Sequence, residues 1–148
     1  MRKPAEDKKY DIRRFLRGEA QPPVAKLIGF RVTAGRRGEA RFEFHAARRH
    51  TNPMGTLQGG VLCCLADAAM GYAYASTLEE GESFTTLELK INYLKPVWNG
   101  RILAVGRVVK RGRTVGMTEC DMTDEDGDLV ARATSTCMTL RGEMAKGR

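Results

Sequence analysis

The chain has 148 residues, 42% hydrophobic and 29% charged, the balance of one soluble globular domain with room for a real core. Its formal net charge of +7 points to an anionic partner without choosing among nucleic acid, a membrane surface and a phosphorylated small molecule. Cys63, Cys64, Cys120 and Cys137 lack zinc spacing, and neighbouring Cys63 and Cys64 are poor disulfide partners on a helix, so reduced thiols in a cytoplasmic protein are expected.

No apolar stretch of the signal-peptide kind stands in the first ten residues. Residues 1–21 read as a charge-rich N-terminal extension, with Tyr10, Ile12, Phe15 and Leu16 as the stripe of a short surface helix; a basic membrane-surface helix is the alternative. Pro22-Pro23 opens a second short helix over 24–28. Residues 30–33 and 39–45 form a hairpin about Gly35-Arg36-Arg37-Gly38, with Ala40, Phe42 and Phe44 on one face. A loop follows to 58, then one helix over about 59–78. Four strands complete the chain, over 83–94, 101–110, 115–122 and 129–140, the last two joined by Asp124-Glu125-Asp126-Gly127. In the first of these, alternation directs Thr85, Leu87, Leu89, Ile91 and Tyr93 to the core. Residues 141–148 are a basic tail. Strands with one helix between them indicate an α+β domain, residues 22–140, in which an antiparallel sheet curls around that helix.

The helix is the unusual element. From Val61 to Ala75 only Asp67 carries a charge, yet the run is too short and too rich in Ala and Gly to cross a membrane. A helix apolar on every side is expected to be buried on every side, by the sheet and by a second subunit, and Asp67 with it. The loop before it, Asn52-Pro53-Met54-Gly55-Thr56-Leu57-Gln58-Gly59-Gly60, ends in glycines that allow close approach to the helix N-terminus.

This loop, together with Leu65-Ala66-Asp67, the strand Thr86-Leu87-Glu88-Leu89-Lys90-Ile91-Asn92-Tyr93 before Pro96, and Lys110-Arg111-Gly112-Arg113, resembles the hotdog-fold acyl-CoA thioesterases of the phenylacetic-acid-degradation type. The likeness covers about residues 22–140. The family pattern Asn-x-x-Gly-x-x-His-Gly-Gly departs at one place: Gln58 stands for the histidine. Gln58 can donate and accept hydrogen bonds but cannot act as an acid or base.

The resemblance implies a curved antiparallel sheet around a central helix, and a dimer or dimer of dimers with shared sites. It implies hydrolysis of an acyl-CoA to a carboxylic acid and free coenzyme A, with coenzyme A entering as part of the substrate and with no metal or other cofactor. The Gly59 N–H, with Gly60, would hold the carbonyl oxygen; Asp67 would activate water or attack directly. Asn52 and Gln58 would position the thioester or the water, and Thr86 the water. Asp67 and Gly59 stand eight residues apart, about 12 Å along one helix, so each is expected to meet the other's counterpart in a partner subunit. Tyr93, Lys110, Arg111 and Arg113 would contact coenzyme A, the cations through its phosphates. Leu62, Met70, Tyr74, Leu89 and Thr139 are candidates for the acyl wall.

Other readings fail on residues. His45 and His50 stand at no position that a hotdog dehydratase would use. Cys63 near the helix start has no histidine to activate it. Asp124-x-Asp126-Gly127 lacks the closing Glu of a calcium loop, with Ser135 in its place. No nucleic-acid motif is present. The alternative from a different class is a non-catalytic acyl-CoA or fatty-acyl binding protein on the same fold, favoured by Gln58 and opposed by Asp67.

Overall fold

The computed structural model describes residues 14, 15 and 19–146. Helix α1 (Pro23–Ile28) starts on its proline and ends at Gly29, whose left-handed φ of 95° lets its N–H reach the Ala25 carbonyl at 2.8 Å. Strands β1 (Phe30–Arg36) and β2 (Glu39–Ala46) form the expected hairpin. A 3-10 turn (Arg48–His50) and a loop lead to α2 (Gly59–Ala75), followed by β3 (Ser83–Tyr93), β4 (Gly100–Arg111), β5 (Val115–Thr123), β6 (Leu129–Leu140) and a 3-10 turn (Gly142–Ala145). Of the stripe expected near the N-terminus, Phe15 is buried; Tyr10, Ile12 and Leu16 lie outside the described residues, as do 147 and 148 of the tail.

All six strands join one antiparallel sheet in the order β1-β2-β4-β5-β6-β3. Its inner face carries Phe42, Phe44, Ile102, Met122 and Val130, all fully buried. Helix α2 touches every strand, so the sheet curls around it as in the hotdog arrangement. The two meet without side chains between them at one point. A Cβ on Gly106 of β4 would fall on the Ala69 carbonyl group of the helix and within 2.8 Å of the Met70 nitrogen.

The helix ends three residues earlier than the composition suggests. Ser76 Oγ donates to the Ala73 carbonyl (2.7 Å) and Thr77 Oγ1 to that of Tyr74 (2.7 Å), closing the last turn. At the β5–β6 turn, Asp124 Oδ1 accepts the N–H groups of Asp126 and Asp128, and Lys95 Nζ bonds both Asp124 (2.7 Å) and Asp128 (2.6 Å). The ammonium occupies the carboxylates that a calcium loop would need.

Within the single chain the helix is not buried all round. Leu62, Leu65, Ala66, Ala69, Met70, Ala73 and Tyr74 are buried, but Gly60 and Asp67 are exposed, with Cys63, Cys64, Ala68 and Gly71 half-open between them. One chain's sheet covers one side of the helix only. Nor does β3 alternate strictly. Its register against β6 shifts between Thr86 and Glu88, leaving Leu87 as an extra, exposed residue. Before this bulge Phe84 and Thr86 face inward, opposite Thr139 and Cys137; after it Leu89, Ile91 and Tyr93 do, opposite Ser135, Ala133 and Ala131. Thr85 and Leu87 therefore point away from the core.

Gly106→Ala is expected to destabilise at the upper end of the roughly 1–3 kcal/mol usual for overpacking, because the obstacle is helix backbone and not a flexible side chain. A urea midpoint that falls while the m-value holds would show it; an unchanged midpoint would mean that helix and sheet can separate cheaply.

Candidate active site

Helix α2 and strand β3 run past each other in opposite directions, and three contacts between them set the site. Near the helix C-terminal half, a Cβ on Gly71 would lie 3.4 Å from the Phe84 ring. In the middle, Thr86 Oγ1 donates to Asp67 Oδ1 at 3.1 Å, the carboxylate's one hydrogen bond among the described residues. At the N-terminus, Tyr93 Oη donates to the Gly59 carbonyl at 2.9 Å. The Tyr93 ring fills the space that a Cβ on Gly59 would take, at 2.8 Å. The Leu87 bulge lies between the last two contacts and turns both Thr86 and Tyr93 toward the helix.

The loop before α2 is held from both sides. Asn52 Nδ2 donates to Thr56 Oγ1 (2.9 Å), and its Oδ1 accepts the Met54 N–H (2.9 Å). Both ends of the Asn52 amide thus shape the loop itself. The Leu57 N–H reaches the Val97 carbonyl (2.7 Å) and the Gln58 N–H that of His50 (2.9 Å). Gln58 is the N-cap of α2 with its side chain exposed and no side-chain cap bond. The N–H groups of Gly59 and Gly60, among the first of the helix and at the positive end of its dipole, find no backbone acceptor among the described residues; Gly59 is half-buried and Gly60 exposed.

Beside Asp67 and Thr86 opens a cleft of about 430 Å³ whose walls include Cys64, Ala68, Gly71, Tyr72 and Phe84. These are not the acyl-wall residues expected from the sequence. Leu62, Met70 and Tyr74 are buried on the other side of the helix, and Tyr74 Oη shares a 2.8 Å hydrogen bond with Thr139 in the interior. In the sequence Ala68 and Gly71 read as packing, because small residues in an apolar run look like it. The signal was the glycine inside the helix, where glycine is costly. The thiols beside the cleft suit no nucleophilic role: burial and then the Asp67 charge push Cys64 above the usual thiol range, and burial raises Cys137.

The three basic residues of the β4–β5 hairpin separate. Arg111 is half-buried, bonded to Glu82 (3.0 Å), Thr77 Oγ1 (3.2 Å) and the Gly112 carbonyl (2.6 Å), with its guanidinium 5.0 Å from the Tyr74 ring centre. Lys110 and Arg113 are exposed. Pairing runs Thr86–Cys137–Gly116–Arg111 across β3, β6, β5 and β4, which sets Arg111 three strand spacings, roughly 14 Å, from Thr86. Among the described residues no group of three His, Cys, Asp or Glu is placed to hold a metal ion.

A family described as the thioesterase superfamily matches residues 54–131, which span the end of the loop, the helix, strands β3 to β5 and the start of β6. The chain belongs to the thioesterase superfamily. It is 32% identical over 101 residues to human acyl-coenzyme A thioesterase 13, covering 67% of this chain and 71% of that one. A phenylacetic acid degradation-related protein from Ralstonia eutropha JMP134 is 36% identical, with a TM-score of 0.77 over 86% of this chain and 98% of its own. A thioesterase family protein from Silicibacter pomeroyi, 31% identical, superposes with a TM-score of 0.79 over 89% of this chain and 100% of its own. The superfamily and the hotdog fold expected from the motifs are both confirmed.

The buried anchor of the loop is His50. Its Nδ1 accepts the Ala47 N–H (3.1 Å), and its ring packs 4.8 Å from that of Phe44. Burial, and then the Arg49 charge, hold its pKa below the usual histidine value of 6.5. The unfolded chain therefore takes up a proton first as the pH falls. The stability tied to neutral His50 is complete above about pH 6.5 and is lost progressively below it. Glu39, Glu43 and Asp124, held below the usual carboxylate range by Arg36, Arg31 and Lys95, titrate at lower pH and stay out of this window. Between pH 7.5 and 5.0 the melting temperature of the wild type should fall more than that of His50→Asn. Equal slopes would remove His50 as the cause.

Proposed function

We propose that the protein hydrolyses acyl-coenzyme A thioesters at a site completed by two subunits. The observation that carries this is the Asp67–Thr86 pair at the polar edge of an apolar cleft, about 12 Å along the same helix from the open N–H groups of Gly59 and Gly60. A single thioester cannot touch both in one chain. Strand β3 is an edge strand of 11 residues with Leu87 and Tyr93 exposed, and the helix face beside it is uncovered. Two-fold pairing of β3 with its copy would set two helices side by side in opposite directions, bringing Asp67 of one to Gly59 of the other.

At that site the thioester oxygen accepts hydrogen bonds from the Gly59 and Gly60 N–H groups. Asp67, oriented by Thr86, takes a proton from a water as the water oxygen bonds to the carbonyl carbon. The tetrahedral oxyanion rests on the helix N-terminus. Its collapse breaks the C–S bond, and the coenzyme A sulfur leaves with the proton. Direct attack by Asp67 is the variant of the same geometry. Asn52 acts through the loop, and the exposed amide of Gln58 can reach the thioester. Lys110 and Arg113 offer charges to the phosphates of coenzyme A, Tyr93 flanks its approach, and Arg111 fixes the hairpin that presents them. These steps draw on side chains and backbone alone. Among the described residues no helix is long and apolar enough to cross a membrane, and four free thiols suit the cytoplasm, where we place the protein. Nucleic acid and membranes have no part in this reading.

Asp67→Asn should keep the fold by circular dichroism and lower thiol release from acyl-CoA by about 10²–10⁴, the range for a lost general base. Undiminished turnover would clear Asp67 of the role. Binding of acyl-CoA with no turnover in the wild type would favour an acyl-CoA binding protein instead.

The shared site has its own test. Gly59→Pro removes the N–H at the first helical position, where proline is well accepted, and asks only that Tyr93 turn aside. Alone it should lose about 10²–10³ in kcat. Mixed and re-associated with Asp67→Asn, it should regain up to about a quarter of wild-type activity, since each mixed dimer rebuilds one intact site of two. No recovery in proven mixed dimers would assign both groups to one chain.

A further inference from the structure

Resting on the thioesterase reading, we infer that the Tyr93 hydroxyl is a positioning group for the oxyanion site, acting on the Gly60 N–H through the peptide that joins Gly59 to Gly60. The Gly59 carbonyl and the Gly60 N–H are the two ends of one planar, conjugated group. Tyr93 Oη donates to that carbonyl at 2.9 Å. Helix geometry also gives the carbonyl the N–H of residue 63, four positions on, so the phenol takes its second lone pair. Both bonds draw electrons toward the carbonyl oxygen and leave the Gly60 N–H more strongly polarised. That N–H finds no backbone acceptor among the described residues, and Gly60 is exposed, with nothing within 4 Å of where a Cβ would stand. An oxyanion that accepts it completes a chain from phenol to carbonyl to N–H to oxyanion. In such a chain each bond strengthens its neighbour by about 10–30%.

The glycine at position 59 fits the same reading. It is not one of the glycines with positive φ, so its backbone does not require it. What requires it is Tyr93: a Cβ on Gly59 would lie 2.8 Å from the ring and 2.9 Å from the hydroxyl oxygen. Only a residue without a side chain lets the phenol lean over the helix end and reach the carbonyl. The register shift at Leu87 is what turns Tyr93 to that side of β3. Burial, and then the neighbouring Cys63, hold the phenol above the usual tyrosine value of 10.0, so it remains a donor at neutral pH. The hydroxyl is thus committed to the backbone, while the ring alone is left to flank coenzyme A.

The test is steady-state kinetics of the full chain on acetyl-, hexanoyl-, lauroyl- and phenylacetyl-CoA, with the variants compared on whichever the wild type turns over fastest. Tyr93→Phe keeps the ring and loses the donor. It should lower kcat and kcat/KM together by about two- to eight-fold with KM unchanged, since 10–30% is at stake of a bond worth about 10²–10³. Gly60→Pro leaves the Gly59 carbonyl in place and removes the N–H at the other end of the peptide, in the first turn where proline is accepted. Once that N–H is gone, adding Tyr93→Phe should cost nothing more. Should Gly60→Pro fail to fold, Gly59→Ala decides. It keeps both N–H groups but sets a methyl where the ring stands, so it should cost the same two- to eight-fold, and Tyr93→Phe on top of it should add nothing. A rise in KM at constant kcat would make the hydroxyl a contact to coenzyme A. The same loss from Tyr93→Phe in every background would make it structural. Either result would overturn this inference and leave the thioesterase reading standing. No turnover of any of the four substrates by the wild type would overturn both.

Discussion

The Ala69–Met70 peptide of the central helix lies directly on Gly106, and the rest of the fold follows from that approach. Helix and sheet can come so close only where the strand has no side chain and the helix offers small ones; Ala66, Ala69 and Ala73 are all fully buried. With the helix so near, a flat sheet would leave its flanks bare. Strands of 11 or 12 residues in β3, β4 and β6 are long enough to bend around it. One sheet of six strands still reaches only partway round. What it leaves uncovered is the stripe from Gly60 through Cys64 and Asp67 to Gly71.

That uncovered stripe and the edge strand beside it are one feature. An exposed edge of 11 residues invites pairing with another chain and is normally blunted. Here the bulge at Leu87 does not blunt it but re-aims it: Thr86 turns inward to Asp67, and the register beyond carries Tyr93 to Gly59. In the proposed dimer the pairing that satisfies the edge also delivers the partner's helix N-terminus to the carboxylate. Edge protection and assembly of the site are then the same event.

Much of this was legible in the sequence because its signals are local. The hairpin of Ala40, Phe42 and Phe44, the Asp-Gly turn and the proline-started first helix each depend on a few neighbouring residues. The site motifs were legible for the same reason, since the loop before the helix is continuous. What was missed depends on partners far along the chain. Alternation cannot show a bulge that exists only against β6, so Thr86 reads as an outer-face residue by its pattern and as a site residue only by resemblance. Arg111 reads as a surface cation until Glu82, 29 residues away, is seen beside it. Met70 and Tyr74 look like an acyl wall because they are large, yet they point into the sheet, and the open wall is made of Ala68 and Gly71.

The distance between Gly59 and Asp67 also explains how a glutamine can stand at position 58. The helix N-terminus favours negative charge, and its influence fades within the first turn. A carboxylate seated there would take for itself the N–H groups that the oxyanion needs. A histidine there would gain a positive charge against the dipole. A side chain at position 58 is therefore best used for hydrogen bonding, which Gln58 supplies. In the proposed mechanism proton transfer falls two turns further on, at Asp67, beyond the reach of the dipole and beside Thr86. On that proposal a rigid helix keeps the two tasks about 12 Å apart and cannot perform both on one thioester, whereas the two antiparallel copies of the proposed dimer would perform them twice.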